Sequence, residues 1–202
     1  MGLFYRIVIA IIRVLFWVLF HIEFEGLQNI PESGGIIAVS NHRSQVDPFF
    51  LAFGSRRQIF FMGKQELFKL GILRFIFGRL GAFAVDRGKG DTHALDHAKA
   101  LVRENKIIGI FIEGTRSVSG ELLRPKSGAA LVARETGAMI LPCAILYEGG
   151  LRLRRRIIVR FGEIMSNEDL GFVDGLPSSL KRASNVMMGR IRSLLEGEAV
   201  AD

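Results

Sequence analysis

Cysteine is almost absent. Cys143 is the only one in 202 residues, so no intramolecular disulfide can form, zinc fingers built on cysteine pairs are excluded, and nothing points to an oxidising compartment. The chain also lacks a low-complexity tract, an internal repeat and a long linker, which makes one compact domain the economical organisation. No G-x-S-x-G elbow, P-loop or G-x-G-x-x-G occurs, so serine-hydrolase, NTPase and dinucleotide readings lack the residues their chemistry needs. His93 and His97 stand four apart, as in the zinc pair of HExxH, but Ala94 occupies the place where that motif needs its Glu. Solvated histidines are therefore expected there, and no metal site. No small-residue cleavage site follows the apolar amino terminus, so a signal peptide is not expected.

What is abundant is apolar surface and positive charge. A hydrophobic content of 49% excludes an intrinsically disordered chain, and the net charge of +7 asks for an anionic partner: nucleic acid, a membrane surface or a phosphorylated substrate. The excess is local. Residues 53–90 hold 8 basic and 2 acidic groups, whereas residues 91–150 hold 7 of each. Nine of the sixteen Phe residues fall between Phe49 and Phe83, interleaved with that basic charge. Further on, Arg152, Arg154, Arg155 and Arg156 form a cluster that suits either phosphates or a solvated hairpin face.

Residues 3–20 are apolar except for Arg6 and Arg13, close to the minimum length for a membrane span. On an insertion scale the Leu, Ile, Phe and Val of this stretch contribute about −6 kcal/mol, while Arg13 near its middle costs about +3. Arg6, Ala10, Arg13 and Trp17 lie along one helical stripe. A helix lying in the interface with both guanidinium groups on headgroup phosphates is the favoured reading, against a spanning helix or one buried in a soluble core.

Beyond it, short β-like runs alternate with helical patterns. Strands are expected at His21–Phe24, Ile36–Ser40, Gln58–Met62, Ala82–Asp86, Ile107–Ile112, Met139–Tyr147 and Ile157–Phe161, with helices at 46–54, 65–79, 127–136 and 176–196 and a further one capped by Asp91. IIAVS and IIGIFI are continuously apolar, as strands covered on both faces must be. The expected fold is α/β: a mixed, largely parallel sheet flanked by helices, with an N-terminal membrane-associated helix. Residues 1–20 are expected to form a membrane anchor and 21–202 one folded domain.

Two polar groups each follow directly on a buried-looking strand: Asn-His-Arg-Ser-Gln-Val-Asp at 41–47 and Glu-Gly-Thr-Arg-Ser at 113–117. A third, Asp86-Arg87, ends another strand. In open α/β sheets ligands bind beyond the carboxyl ends of strands. A neutral imidazole takes a proton from a hydroxyl when a carboxylate sets its tautomer, and His42 with Asp47 is the natural pair. Asp47 precedes Pro48, which favours a turn that brings the carboxylate back. The Gly114–Ser117 turn offers backbone N–H groups, hydroxyls and a guanidinium suited to phosphate. A structural His–Asp hydrogen bond and an ordinary surface turn remain the alternatives on these residues alone. Cys143, in the run Ile-Leu-Pro-Cys-Ala-Ile, reads as an inert core thiol.

These motifs together resemble a family. NHRSQVD at 41–47 looks like the His-x-x-x-x-Asp box of the PlsC-type glycerolipid acyltransferases, and FIEGTRS at 111–117 is similar to their Phe-Pro-Glu-Gly-Thr-Arg-Ser box. GAFAVDR at 81–87 and LPCAI at 141–145 resemble the second and fourth boxes. Ile112 stands where the family usually has Pro, and the aromatic of the second box is shifted by one position at Phe83. The resemblance implies acyl transfer from a thioester, acyl-CoA or acyl-carrier protein, to the free sn-2 hydroxyl of lysophosphatidate, without cofactor or metal. Glycerol-3-phosphate or another lysophospholipid as acceptor, or a non-catalytic lipid-binding membrane protein, are the alternatives. By this resemblance His42 is the general base, Asp47 its orienting partner, Arg87 and Arg116 phosphate binders, and Glu113, Gly114 and Thr115 part of the acceptor site, with Lys126 near phosphate. The basic, Phe-rich stretch from Phe49 to Arg79 would lie against the bilayer or shape an acyl-chain groove, with core packing expected for some of its Phe residues. The expected location is the cytoplasmic face of a bacterial inner membrane, and nucleic acid is not an expected partner.

Overall fold

A computed structural model of the chain describes residues 2–64, 71, 74, 78–85, 92–150, 152–172 and 176–197. Within these, seven strands are present: β1 (His21–Glu25), β2 (Ile36–Ser40), β3 (Ile59–Lys64), β4 (Ala82–Val85), β5 (Ile107–Phe111), β6 (Met139–Tyr147) and β7 (Arg156–Phe161). They form one sheet in the order β1-β7-β6-β2-β5-β3-β4, parallel throughout except for the antiparallel β6–β7 pair. The helices are α1 (Leu3–Leu19), α2 (Asp47–Gly54), α3 (Thr92–Arg103), α4 (Gly128–Thr136) and α5 (Pro177–Glu196). The α/β class and the mixed, largely parallel sheet agree with the sequence reading. The helix expected over 65–79 falls mostly outside the described residues, as do Asp86, Arg87 and the proposed cap Asp91.

The apolar runs take their meaning from two helical layers. Side chains alternate across a strand, so Ile37 and Val39 of β2 pack with Ala98 of α3, Ala130 and Ala133 of α4, and Met187 and Ile191 of α5. Their neighbours Ile36 and Ala38 face the other way, against Phe50 and Phe53 of α2 and Phe16 of α1. A strand buried on both faces has no polar side, which is why IIAVS shows no alternation. In β5 a Cβ added at Gly109 would lie 2.2 Å from the Phe61 ring, so glycine makes room for that aromatic side chain.

The outer layer changes part of the sequence reading. Phe50 and Phe53 are buried, and Phe16 meets the rings of Phe49, Phe50 and Phe53 at 5.8, 5.5 and 5.4 Å. These phenylalanines join α1 to the domain, in line with the core packing expected for part of the Phe-rich stretch. Arg13, although exposed, also engages the domain: its guanidinium donates to the Phe53 carbonyl at the end of α2 and lies 5.9 Å from the Phe24 ring. The carbonyls of a helix's last turn lack intrahelical donors, and a guanidinium supplies one. Arg57, within the basic excess, likewise donates to the carbonyls of Pro31, Gly34 and Asn105. In the Arg cluster, Arg156 pairs with Glu23 and Glu148.

Among the described residues no helix is long and apolar enough to cross a membrane. Seventeen residues of α1 span about 26 Å, short of the roughly 30 Å hydrocarbon core. The helix is apolar on two sides. Tyr5, Ile9, Ile12 and Phe16 are buried or partly buried, while Leu3, Ile7, Ile11, Val14 and Val18, spaced on the opposite face, are 49–73% exposed.

Where β2 ends, a side chain takes over the pairing. Asn41 is buried; its amide donates to the Ile145 carbonyl at 3.0 Å and its Oδ1 accepts from the Ile145 N–H at 2.9 Å. Asn41→Ala leaves a buried donor and a buried acceptor on β6 without partners and is expected to cost about 2–5 kcal/mol. Chemical denaturation checks this; an unchanged midpoint would show that the tie carries no weight.

Candidate active site

β6, β2 and β5 are adjacent and run the same way, so their carboxyl ends meet at one rim of the sheet. His42 lies just past β2, Glu113 just past β5, and Tyr147 ends β6. Residues far apart in the chain are thereby brought together where three strands open.

The centre is Asp47, fully buried at the first turn of α2. Its Oδ2 accepts from His42 Nδ1 at 2.7 Å and from the backbone N–H groups of Arg43 at 2.7 Å and Ser44 at 2.9 Å. Its Oδ1 accepts from the Tyr147 hydroxyl. A turn closed by the Asp47 N–H on the Ser44 carbonyl at 3.3 Å wraps the chain around the carboxylate, as the Asp-Pro pair suggested. With Nδ1 donating to a carboxylate, the neutral imidazole carries its lone pair on Nε2. The ring is held flat against Phe111, with centroids 4.0 Å apart and planes 13° from parallel.

The loop after β5 is fastened to the loop after β2. Glu113 is buried, and its Oε1 accepts from the His42 N–H at 2.7 Å while its Oε2 accepts from the Leu123 N–H at 2.8 Å. The Ser117 N–H donates to the His42 carbonyl at 2.7 Å. Both oxygens of Glu113 thus serve the backbone, so this carboxylate holds His42 in place; the sequence reading had it positioning the acceptor. Desolvation raises its pKa, and the two N–H donors work against that rise. Gly114 sits at φ +72°, and a Cβ there would lie 3.1 Å from the stem of Lys126, so the turn needs glycine and packs the lysine over it.

Beside the pair opens a cleft of about 420 Å³, walled by Arg43 and Ser44 from the first loop, Thr115 to Val118 from the second, and Tyr147 from β6. Two guanidinium groups and several hydroxyls line it without a carboxylate, which suits an anion with several oxygens. Thr115 and Arg116 of its wall are exposed, and so is Lys126, whose stem lies over Gly114. The structure therefore assembles His42, Asp47, Glu113, Gly114, Thr115, Arg116 and Lys126 at one place, while Arg87 lies outside the described residues. The sequence reading missed Arg43, which stands inside the first motif, and Tyr147, whose only signal is a hydroxyl at the end of an apolar strand. Cys143 is buried beneath the site and desolvation pushes its thiol pKa up, in keeping with an inert core thiol. Among the described residues no group of His, Cys, Asp and Glu could hold a metal ion.

A buried His–Asp pair beside an acid-free, guanidinium-lined cleft at the carboxyl rim of an α/β sheet is equipped to deprotonate a hydroxyl of an anionic molecule. Residues 21–146 match the Acyltransferase family, and the chain belongs to it. Among its relatives are enzymes named 1-acyl-sn-glycerol-3-phosphate acyltransferase. The one from Borreliella burgdorferi is 29% identical over 67% of this chain and 56% of its own length; that from Streptococcus pneumoniae is 28% identical over 83% and 65%. The one from Bacillus subtilis is 32% identical over 60% of each. The chain thus spans about three fifths of these relatives. The crystal structure of the 1-acyl-sn-glycerophosphate acyltransferase PlsC from Thermotoga maritima superposes with a TM-score of 0.72 over 92% of this chain and 75% of that one; at 24% identity this shows a shared fold.

Glu113→Gln removes one acceptor and points an NH₂ group at a backbone N–H. A loss of about 1–3 kcal/mol is expected, read as a lower denaturation midpoint. Wild-type stability in this variant would refute the role given to the carboxylate.

Proposed function

We propose that the protein transfers an acyl group from a thioester to the free sn-2 hydroxyl of lysophosphatidate, giving phosphatidate. The observation that carries this reading is the buried His42–Asp47 pair at 2.7 Å, set beside a cleft that holds Arg43 and Arg116 and no carboxylate. The names of the relatives agree with it.

In this mechanism Arg116 and Arg43, with Lys126 and Arg87 as further phosphate ligands, hold the phosphate monoester, while Thr115 and the Gly114 turn shape the acceptor site. The acceptor hydroxyl lies at Nε2 of His42. As its oxygen bonds to the thioester carbonyl carbon, its proton passes to Nε2, and Asp47 stabilises the imidazolium that results. The tetrahedral intermediate collapses by breaking the C–S bond, and the imidazolium returns the proton to the departing thiolate. The products are an ester and a free thiol. No acyl-enzyme is formed, and neither metal nor cofactor is required.

Residues 1–20 serve as an interfacial anchor for the domain at 21–202. The support is the outward apolar face of α1: its inner face packs on the phenylalanines of α2, and Arg6, clear of that contact, can reach headgroups. The expected surface is the cytoplasmic leaflet, where acyl thioesters are made.

His42→Ala is expected to lower acyl transfer about 10²- to 10⁴-fold, measured as thiol release from acyl-CoA or acyl-carrier protein. A panel of lysophosphatidate, glycerol-3-phosphate and lysophosphatidylcholine with each donor assigns the substrates. Undiminished turnover in the variant would refute the mechanism. For the anchor, Trp17 is the sole tryptophan and is 66% exposed. Its emission should shift to the blue on mixing with vesicles containing phosphatidylglycerol, and an unshifted spectrum would count against docking through α1.

A further inference from the structure

Tyr147 belongs to β6, a strand that contributes nothing else to the His–Asp pair, yet its side chain links the two halves of the site. Its ring is a wall of the cleft, with the Arg43 guanidinium 5.3 Å from the ring centroid. Its hydroxyl points away from the cleft and donates to Oδ1 of Asp47, the oxygen that His42 leaves free. Both residues are buried. We infer that Tyr147 is a positioning residue of the proposed reaction, acting through Asp47 to set both the orientation and the proton affinity of His42.

Asp47 is a fully buried carboxylate. Oδ2 already accepts from His42 Nδ1 and from two backbone amides. Oδ1 would be a bare anionic oxygen in the protein interior without the phenol, and a buried charge lacking donors is costly. The phenol settles the carboxylate plane, and hence the line along which Oδ2 receives the imidazole N–H. It also draws charge toward Oδ1, so that the carboxylate stabilises the imidazolium less than a bare one would. Burial first, and the Asp47 charge next, push the phenol's pKa up, in keeping with its role as a donor. The ionisable groups facing this unit are Glu113 from the loop after β5, whose oxygens are spent on backbone N–H groups, and Arg43 from the loop after β2.

This inference rests on the proposed acyl transfer, and its test separates the two. Tyr147→Phe keeps the ring that walls the cleft and removes only the donor. In protein labelled with ¹⁵N-histidine, where His42 is identified as the signal missing from His42→Gln, the midpoint of the His42 titration is expected to rise by about 0.5–1 pH unit in Tyr147→Phe. The acidic limb of kcat/KM should move to higher pH by the same amount. Above that limb kcat is expected to fall about 10-fold with KM for the acceptor within about twofold. A purely structural role would lower the denaturation midpoint and leave the His42 titration where it is in the wild type; that result overturns the inference. Should the wild type transfer no acyl group to any acceptor, the proposed function falls, while the titration still decides whether Tyr147 governs His42.

Discussion

A carboxylate with no exposure to water is the constraint on which the site depends. Moving such a charge out of water costs several kcal/mol unless donors surround it, and Asp47 is surrounded by the His42 imidazole, two consecutive backbone amides and the Tyr147 phenol. Each donor has a structural consequence. The amides curl residues 42–47 into a tight turn, the imidazole is locked in the tautomer that leaves Nε2 free, and the phenol ties a third strand to the pair. One group thereby specifies loop shape, tautomer and alignment.

The sheet makes this arrangement affordable. Because β6, β2 and β5 are parallel neighbours, their ends diverge at a common rim, and side chains replace strand pairing there: Asn41 toward β6, and Glu113 between the two loops. These polar side chains bond to backbone, so the loops are tied to each other and to the strand ends. The cleft is left with guanidinium and hydroxyl groups facing its opening. On the opposite side of the domain's outer layer, α1 packs one apolar face on α2 and leaves the other free.

Much of this was legible in the chain. The continuously apolar runs announced buried strands, and the polar clusters that followed them announced a rim, because only a strand end can place such groups together outside a core. Asp47 next to Pro48 correctly suggested a carboxylate folded back on His42. The phenylalanines at 49–53 could not be placed, since an apolar side chain has the same composition whether it meets lipid or another helix. Arg13 and Arg57 were miscast for the same kind of reason. A guanidinium suits a headgroup phosphate and a helix-terminal carbonyl equally well, and only the nearby presence of the Phe53, Pro31, Gly34 and Asn105 carbonyls shows which it serves. That both oxygens of Glu113 accept backbone N–H groups was likewise invisible, because its partners His42 and Leu123 are set by how the loops pack.

The order and residue types of the motifs were sufficient to define the family, the class of fold and the pairing of His42 with Asp47, because those properties depend on local spacing and on what each functional group can do. Three features depended on packing alone: the meeting of Tyr147 with Asp47 across 100 residues, the division of α1 into an inner and an outer apolar face, and the pairing of Arg43 with Arg116 around one cleft. Hydrogen-bond partners distant in the chain have no fixed spacing to betray them; the register of parallel strands brings them within reach.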